Sequence, residues 1–100
     1  MATTLLTATA SSGTSDSVGV TGANMPYNFH AAPPLEANES AHVEFLGGGG
    51  DWIALWIDGF KVQLDTSRRM VTIYAPGRYR VVKEMTGSAI GIYGNSEVDD

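Results

Sequence analysis

The chain has 100 residues, no cysteine, and six Lys+Arg against eleven Asp+Glu, for a formal net charge of −5. That length holds one domain, since domains commonly run to about 100–150 residues, and the lack of cysteine excludes disulfides, zinc–thiolate sites and thiol nucleophiles. The acidic balance lacks the basic surplus that displaces counterions from phosphates, and no apolar run approaches the roughly 20 residues that span a bilayer, so neither nucleic acid nor membrane is expected as a partner.

The charges are segregated along the chain. Residues 1–50 contain Asp16, Glu36, Glu39 and Glu44 but no Lys or Arg. All six basic residues lie between Lys61 and Lys83, where Asp65 is the one acid, and acids return at Glu84, Glu97, Asp99 and Asp100. Such asymmetry allows copies or partners to meet through opposite patches; the plainer reading is a solvated strand face that carries arginines.

Residues 1–24 are mostly Thr, Ser, Ala and Gly, with Leu5, Leu6, Val18 and Val20 as isolated apolar residues. The start has no Lys or Arg ahead of Leu5 and Leu6, which makes a poor secretory signal. Small polar residues bury too little apolar area to offset the entropy of ordering them, so this stretch cannot form a core alone. Its β propensity still allows one or two strands, over 3–10 and 15–21. Residues 25–39 hold Pro26, Pro33 and Pro34 with Tyr27 and Phe29 between them. Adjacent prolines exclude a helix interior and a central strand. Residues 1–40 are therefore expected as an irregular segment or extended N-terminal arm, anchored by Leu5, Leu6, Tyr27 and Phe29.

From residue 41 the pattern is that of strands. Val43 and Phe45 alternate with His42 and Glu44, and Gly47–Gly50 ends the run. Residues 52–57 are apolar at every position, which fits a strand covered on both faces. Asp58-Gly59 between apolar runs predicts a two-residue type I′ hairpin, because both central residues need positive φ. Phe60, Val62 and Leu64 alternate with Lys61, Gln63 and Asp65; a turn at 65–68 leads to a strand over 70–74. Ala75-Pro76-Gly77 turns again, and Tyr79 and Val81 alternate with Arg78 and Arg80. A last strand covers 89–93, and residues 96–100 form an acidic tail.

About six strands after residue 40, with tight turns and no helical periodicity, predict an all-β fold. The architecture expected is an antiparallel β-sandwich or jelly-roll-like small barrel over 41–95.

The search for chemistry yields little. His42 and Glu44 share a strand face as a possible metal pair, but nothing marks a third ligand, and a surface His beside a Glu is the plainer reading. No serine lies in a Gly-x-Ser-x-Gly elbow. Asp51 and Asp58 abut glycines as turn formers, and Gly47–Gly50 lacks the following Lys-Ser/Thr of a phosphate loop. No catalytic residue, metal ligand set or cofactor is assigned, and the chain is read as a non-enzyme. Two features suit binding. Trp52 and Trp56 fit either the core or a sugar-stacking platform. Arg78 and Arg80 share a strand face, with Arg68 and Arg69 at a neighbouring turn; a cross-strand arrangement would gather four guanidinium forks for a partner's carboxylates.

The run Ala75-Pro76-Gly77-Arg78-Tyr79-Arg80-Val81-Val82-Lys83, followed by Ile90-Gly91-Ile92-Tyr93, resembles small bacteriophage virion structural proteins. In those proteins a Thr/Ser/Ala-rich N-terminus leads into a strand, a Trp-bearing strand, an Asp-Gly hairpin and this closing strand. The resemblance spans 41–93, and covers the N-terminal segment in composition only; the proline-containing segment before residue 40 departs from the shortest such proteins. It implies a capsid decoration (cement) protein, a β-sandwich or jelly roll. Such a protein is often a homotrimer that sits on the capsid surface of the virion and bridges subunits of the major capsid protein. It would be made in the host cytoplasm and have no catalytic residues. The alternatives are a tail-fibre receptor- or carbohydrate-binding module and a head–tail adaptor or tail accessory protein.

Overall fold

The computed structural model describes residues 2–98, which form strands and no helix. The strands are β1 (Thr3–Thr9), β2 (Gly13–Thr14), β3 (Val18–Val20), β4 (Tyr27–Ala32), β5 (Ala41–Leu46), β6 (Trp52–Ala54), β7 (Trp56–Ile57), β8 (Phe60–Lys61), β9 (Gln63–Leu64), β10 (Met70–Ile73), β11 (Gly77–Lys83) and β12 (Ile90–Ser96). One sheet has the order β1-β12-β4-β10. The other has the order β2-β11-β5-β6, with β3 also on β11 and β9 also on β5, and β7 pairs with β8 as a separate ribbon. All the pairings are antiparallel, and the sheets enclose one apolar core as a β-sandwich.

Period-two alternation positions that core. Val43 and Ala41 face inward from β5, Tyr79 and Val81 from β11, Val71 and Ile73 from β10, and Ile90 and Ile92 from β12. Phe29 of β4 lies at the centre with no exposed surface, and the Tyr27 ring tilts against it at 5.3 Å.

Residues before 40 supply four strands, more than their composition indicates. Leu5 and Tyr27 are buried, Leu6 packs half-buried against them, and Phe29 is central, so the four apolar residues read as arm anchors are seated in this chain's own core. The physical reason is that the sandwich supplies the apolar surface that the segment lacks by itself. β4 lies between β12 and β10, while the prolines fall just outside it at positions 26, 33 and 34.

One edge of the second sheet has an unusual construction. β6 runs beside the second half of β5, with Glu44 opposite Ala54, and β9 runs beside the first half, with Ala41 opposite Leu64. Between them the chain leaves the sheet at Leu55 and returns at Val62. The Leu55 N–H donates to the Val43 carbonyl, the Val43 N–H to the Val62 carbonyl, and the Val62 N–H to the Leu55 carbonyl, at 2.8–2.9 Å. Residues 56–61 therefore project as a two-stranded finger, with Trp56 opposite Lys61 and Ile57 opposite Phe60. Its tip is the anticipated type I′ turn, with φ of 53° at Asp58 and 81° at Gly59.

β12 carries glycine where its neighbours press closest. A Cβ at Gly94 would lie 2.7 Å from the Tyr27 ring and 2.9 Å from Leu5 Cδ1. Gly94→Ala is expected to destabilise the fold by about 1–3 kcal/mol, as overpacking of a filled core does. Urea titration checks this, through a lower midpoint at an unchanged slope.

Candidate functional site

The finger presents apolar side chains to solvent. Phe60 is 72% exposed, Trp56 59% and Ile57 53%, and on the neighbouring strand Met70 is 52% exposed, with Tyr74 just beyond it at 75%. A two-stranded ribbon is marginal by itself and gains nothing from exposed aromatics. Paired residues of a ribbon share a face, so Ile57 and Phe60 point one way, with Leu55 and Val62, and Trp56 points the other with Lys61. The Ile57 face looks onto β10, the edge strand of the first sheet. Ile57, Phe60 and Val62 line one side of a groove of about 420 Å3, with Met70, Val71 and Thr72 opposite and Asp58 and Arg68 also bordering it. A second cavity of about 190 Å3 continues along β10, lined by Leu55, Ile57, Thr72, Ile73, Tyr74, Ala75 and Tyr79. Ile57, Phe60 and Met70 thus expose large apolar side chains around one groove, the kind of apolar surface that often marks a binding site.

The outer face of the second sheet carries a polar ladder. Arg80 of β11 lies opposite Glu44 of β5, donates from Nε to Oε1 at 2.9 Å, and brings Nη2 to 2.8 Å from the same oxygen. His42 Nε2 sits 3.2 Å from the other oxygen, Oε2. The Arg80 guanidinium covers the Trp52 ring at 4.3 Å, a cation–π contact. Burial alone would raise the Glu44 pKa, but hydrogen bonds from Arg80 and His42, with their charges, outweigh it and hold the carboxyl below its ordinary value. Both Glu44 oxygens are thus engaged by side chains of this chain. No group of three His, Asp or Glu gathers among the described residues.

Lys83 has no exposed surface, and Nζ donates to the Glu84 carbonyl and to Thr86 Oγ1, both at 3.2 Å. Burial lowers its pKa, against the opposing charge of Glu39. Glu39 is held down chiefly by the Gly87 N–H, which donates to Oε2 at 2.7 Å, and by the Glu36 N–H, which donates to Oε1 at 2.9 Å. A lysine sealed from solvent in this way joins β11 to the following turn and offers no access to a substrate.

The structure does not gather the four arginines. Arg80 is committed to Glu44 and Trp52, and Arg78 lies along β3, where its guanidinium would meet a Cβ at Gly19. Arg68 and Arg69 stand at the start of β10 and border a separate pocket with His30, Leu35 and Leu64. The reason is topological: β10 and β11 belong to different sheets, and the corner at 75–76 separates them. Trp52 and Trp56 are likewise parted, one under Arg80 and the other on the finger, and neither is in the core. The alternation Tyr79, Val81, Lys83 already puts Lys83 inward, but the exposed finger has no comparable signal, because an unbroken apolar run reads as buried.

Compared with family models, with curated proteins and with solved structures, the chain finds no match in any of the three.

Two predictions test the electrostatics. Arg80→Ala is expected to cost about 1–2 kcal/mol at pH 7, through lost charge-assisted bonds and Trp52 contact on a partly exposed face. Because Glu44 has a folded pKa below its ordinary 4.5, its contribution is present above that value and is lost as pH falls through the lowered one. Thermal melts should therefore show the gap between wild type and Arg80→Ala narrowing as pH falls below the ordinary 4.5. For Lys83 the folded pKa is also lowered, so the unfolded chain binds more protons in the window up to the ordinary 10.5 and stability rises with pH there. Lys83→Met should abolish that alkaline rise and leave stability at pH 7 equal or higher, as urea titrations from pH 7 to 10.5 would show.

Proposed function

We propose that this chain is a non-catalytic structural protein that docks onto other proteins, and specifically a bacteriophage capsid decoration (cement) protein. The observation that carries docking is the finger: a ribbon that projects from the sheet and spends its exposed positions on Trp56, Ile57 and Phe60. Apolar patches rimmed by polar residues are how soluble proteins meet partners, and aromatic side chains commonly supply the strongest contacts. The virion assignment draws on the resemblance of residues 41–93 to phage structural proteins. On this reading the chain sits on the capsid surface, contacts the major capsid protein and copies of itself, and bridges neighbouring subunits. Each copy adds buried area across a subunit boundary, and a few kcal/mol per copy suffices when many copies act on one shell.

A second reading, a carbohydrate-binding module of a tail fibre, is favoured by the solvent-facing Trp56 alone. Sugar quenching of its fluorescence is the result that would support it.

Quantitative mass spectrometry of purified virions tests the proposal. Roughly hundreds of copies per particle are expected, whereas about six or twelve would indicate a ring at the head–tail junction, and absence would overturn the virion assignment. Phe60→Ser and Trp56→Ser should each weaken particle binding by about 1.5–3 kcal/mol while leaving the melting temperature nearly unchanged. Co-sedimentation with undecorated particles measures the first effect and calorimetry the second.

A further inference from the structure

The groove beside β10 has the form of a strand-accepting site. Sheet edges are ordinarily blunted by bulges, charges, prolines or extreme shortness. In this sandwich β1 pairs with β12 through register shifts between Thr4 and Leu6 and between Leu6 and Thr9. β2 has two residues and β3 three, and the β6–β9 edge is interrupted by the finger. β10 is short, at four residues, but has no bulge. It pairs in unbroken register with β4, from Met70 opposite His30 to Ile73 opposite Tyr27, and contains no charge or proline. Among the described residues it has no partner on its other side, so alternate N–H and C=O groups there point outward.

The two cavities along that edge have matching spacing. One is bordered by Met70 and Thr72, the next by Thr72 and Tyr74, so they succeed each other by two residues of strand, roughly 6.6 Å. That is the interval between side chains i and i+2 of an extended peptide. The finger bounds the far side with Ile57 and Phe60. Arg68 stands at the end where β10 begins, and Lys61 joins it in an adjoining hollow. Neither is in an ion pair among the described residues, while Asp65 is committed to the turn by accepting from Ser67 and Arg68 N–H.

The geometry points to a binding site for an extended peptide segment of a partner protein, added as a strand to β10 beneath the finger. The segment is apolar at alternate positions and carries a carboxylate where it meets Arg68. This rests on the protein-docking reading above but not on the virion assignment. A second copy of β10 suits the groove less well, because each copy carries its own finger on the side where the two edges would meet.

The test is a selection of short random peptides by the full chain, followed by titration of one selected synthetic peptide into isotopically labelled protein. Enriched peptides should alternate apolar and polar residues with an acid at one end, and outward amides within Met70–Ile73 should gain exchange protection. Phe60→Ser, at a position exposed enough to spare the fold, should weaken binding about tenfold, as should Ile57→Ser. Arg68→Glu should reverse the preference from an acidic to a basic terminal residue. The inference is overturned by no enrichment, by peptides whose affinity ignores both finger variants, or by a concentration-dependent dimer that Phe60→Ser dissolves and the peptide does not. Binding by the isolated chain, combined with its absence from particles, keeps this inference and removes the virion assignment; many copies per particle with no peptide binding does the reverse.

Discussion

Three backbone hydrogen bonds joining Val43, Leu55 and Val62 decide what surface this protein shows. Each is an ordinary amide–carbonyl bond worth about 1 kcal/mol net. Together they let β6 and β9 share one strand, β5, while the segment between them is expelled as a paired ribbon. Val43 and Val62 are buried and Leu55 packs half-buried against the core, so the junction is anchored in the core at the edge of the second sheet. Fixing the base of the ribbon there holds the finger over β10 and makes a groove between two elements that do not pair with each other.

The charges behave differently in space from how they run along the chain. The sequence separates an acidic first half from a basic block, which invites a picture of opposite patches on separate copies. Antiparallel pairing of β5 with β11 instead sets Glu44 against Arg80 within one chain, and folding brings Glu39 into the field of Lys83. Part of the asymmetry is thus neutralised internally. The basic groups left for partners are Lys61, Arg68 and Arg69 near the finger and the start of β10, and Arg78 beside β3.

Much of the sandwich could be read from residues alone. The alternation in β5 and β11, the Asp58-Gly59 tip and the Pro76-Gly77 corner are local signals, and local chemistry determines them. Two things were hidden for distinct reasons. β propensity allows strands near β1 and β3, but their place in the sandwich, and β4 as an inner strand, depend on pairing with β11, β12 and β10, whose nearness is set by tertiary structure. The finger was obscured because periodicity reports which residues are apolar and not whether anything covers them. A run from Trp52 to Ile57 reads as a strand buried on two faces, yet its first half is a sheet edge and its second half projects into water. The candidate docking site thus lies where the apolar pattern misleads.

The order of strands in the first sheet has a bearing on biosynthesis. β12 (Ile90–Ser96), the last strand among the described residues, lies between β1 and β4, which fall within residues 3–32. Until residue 96 has emerged from the ribosome, the sheet lacks its middle, and Thr3–Thr9 and Tyr27–Ala32 have no shared neighbour to hold them. Pairing that waits on such distant segments is slow and leaves strand edges open in the interval. The polar, threonine-rich character of the first strand is well matched to that delay, since a nascent segment of this composition stays soluble until its partner arrives.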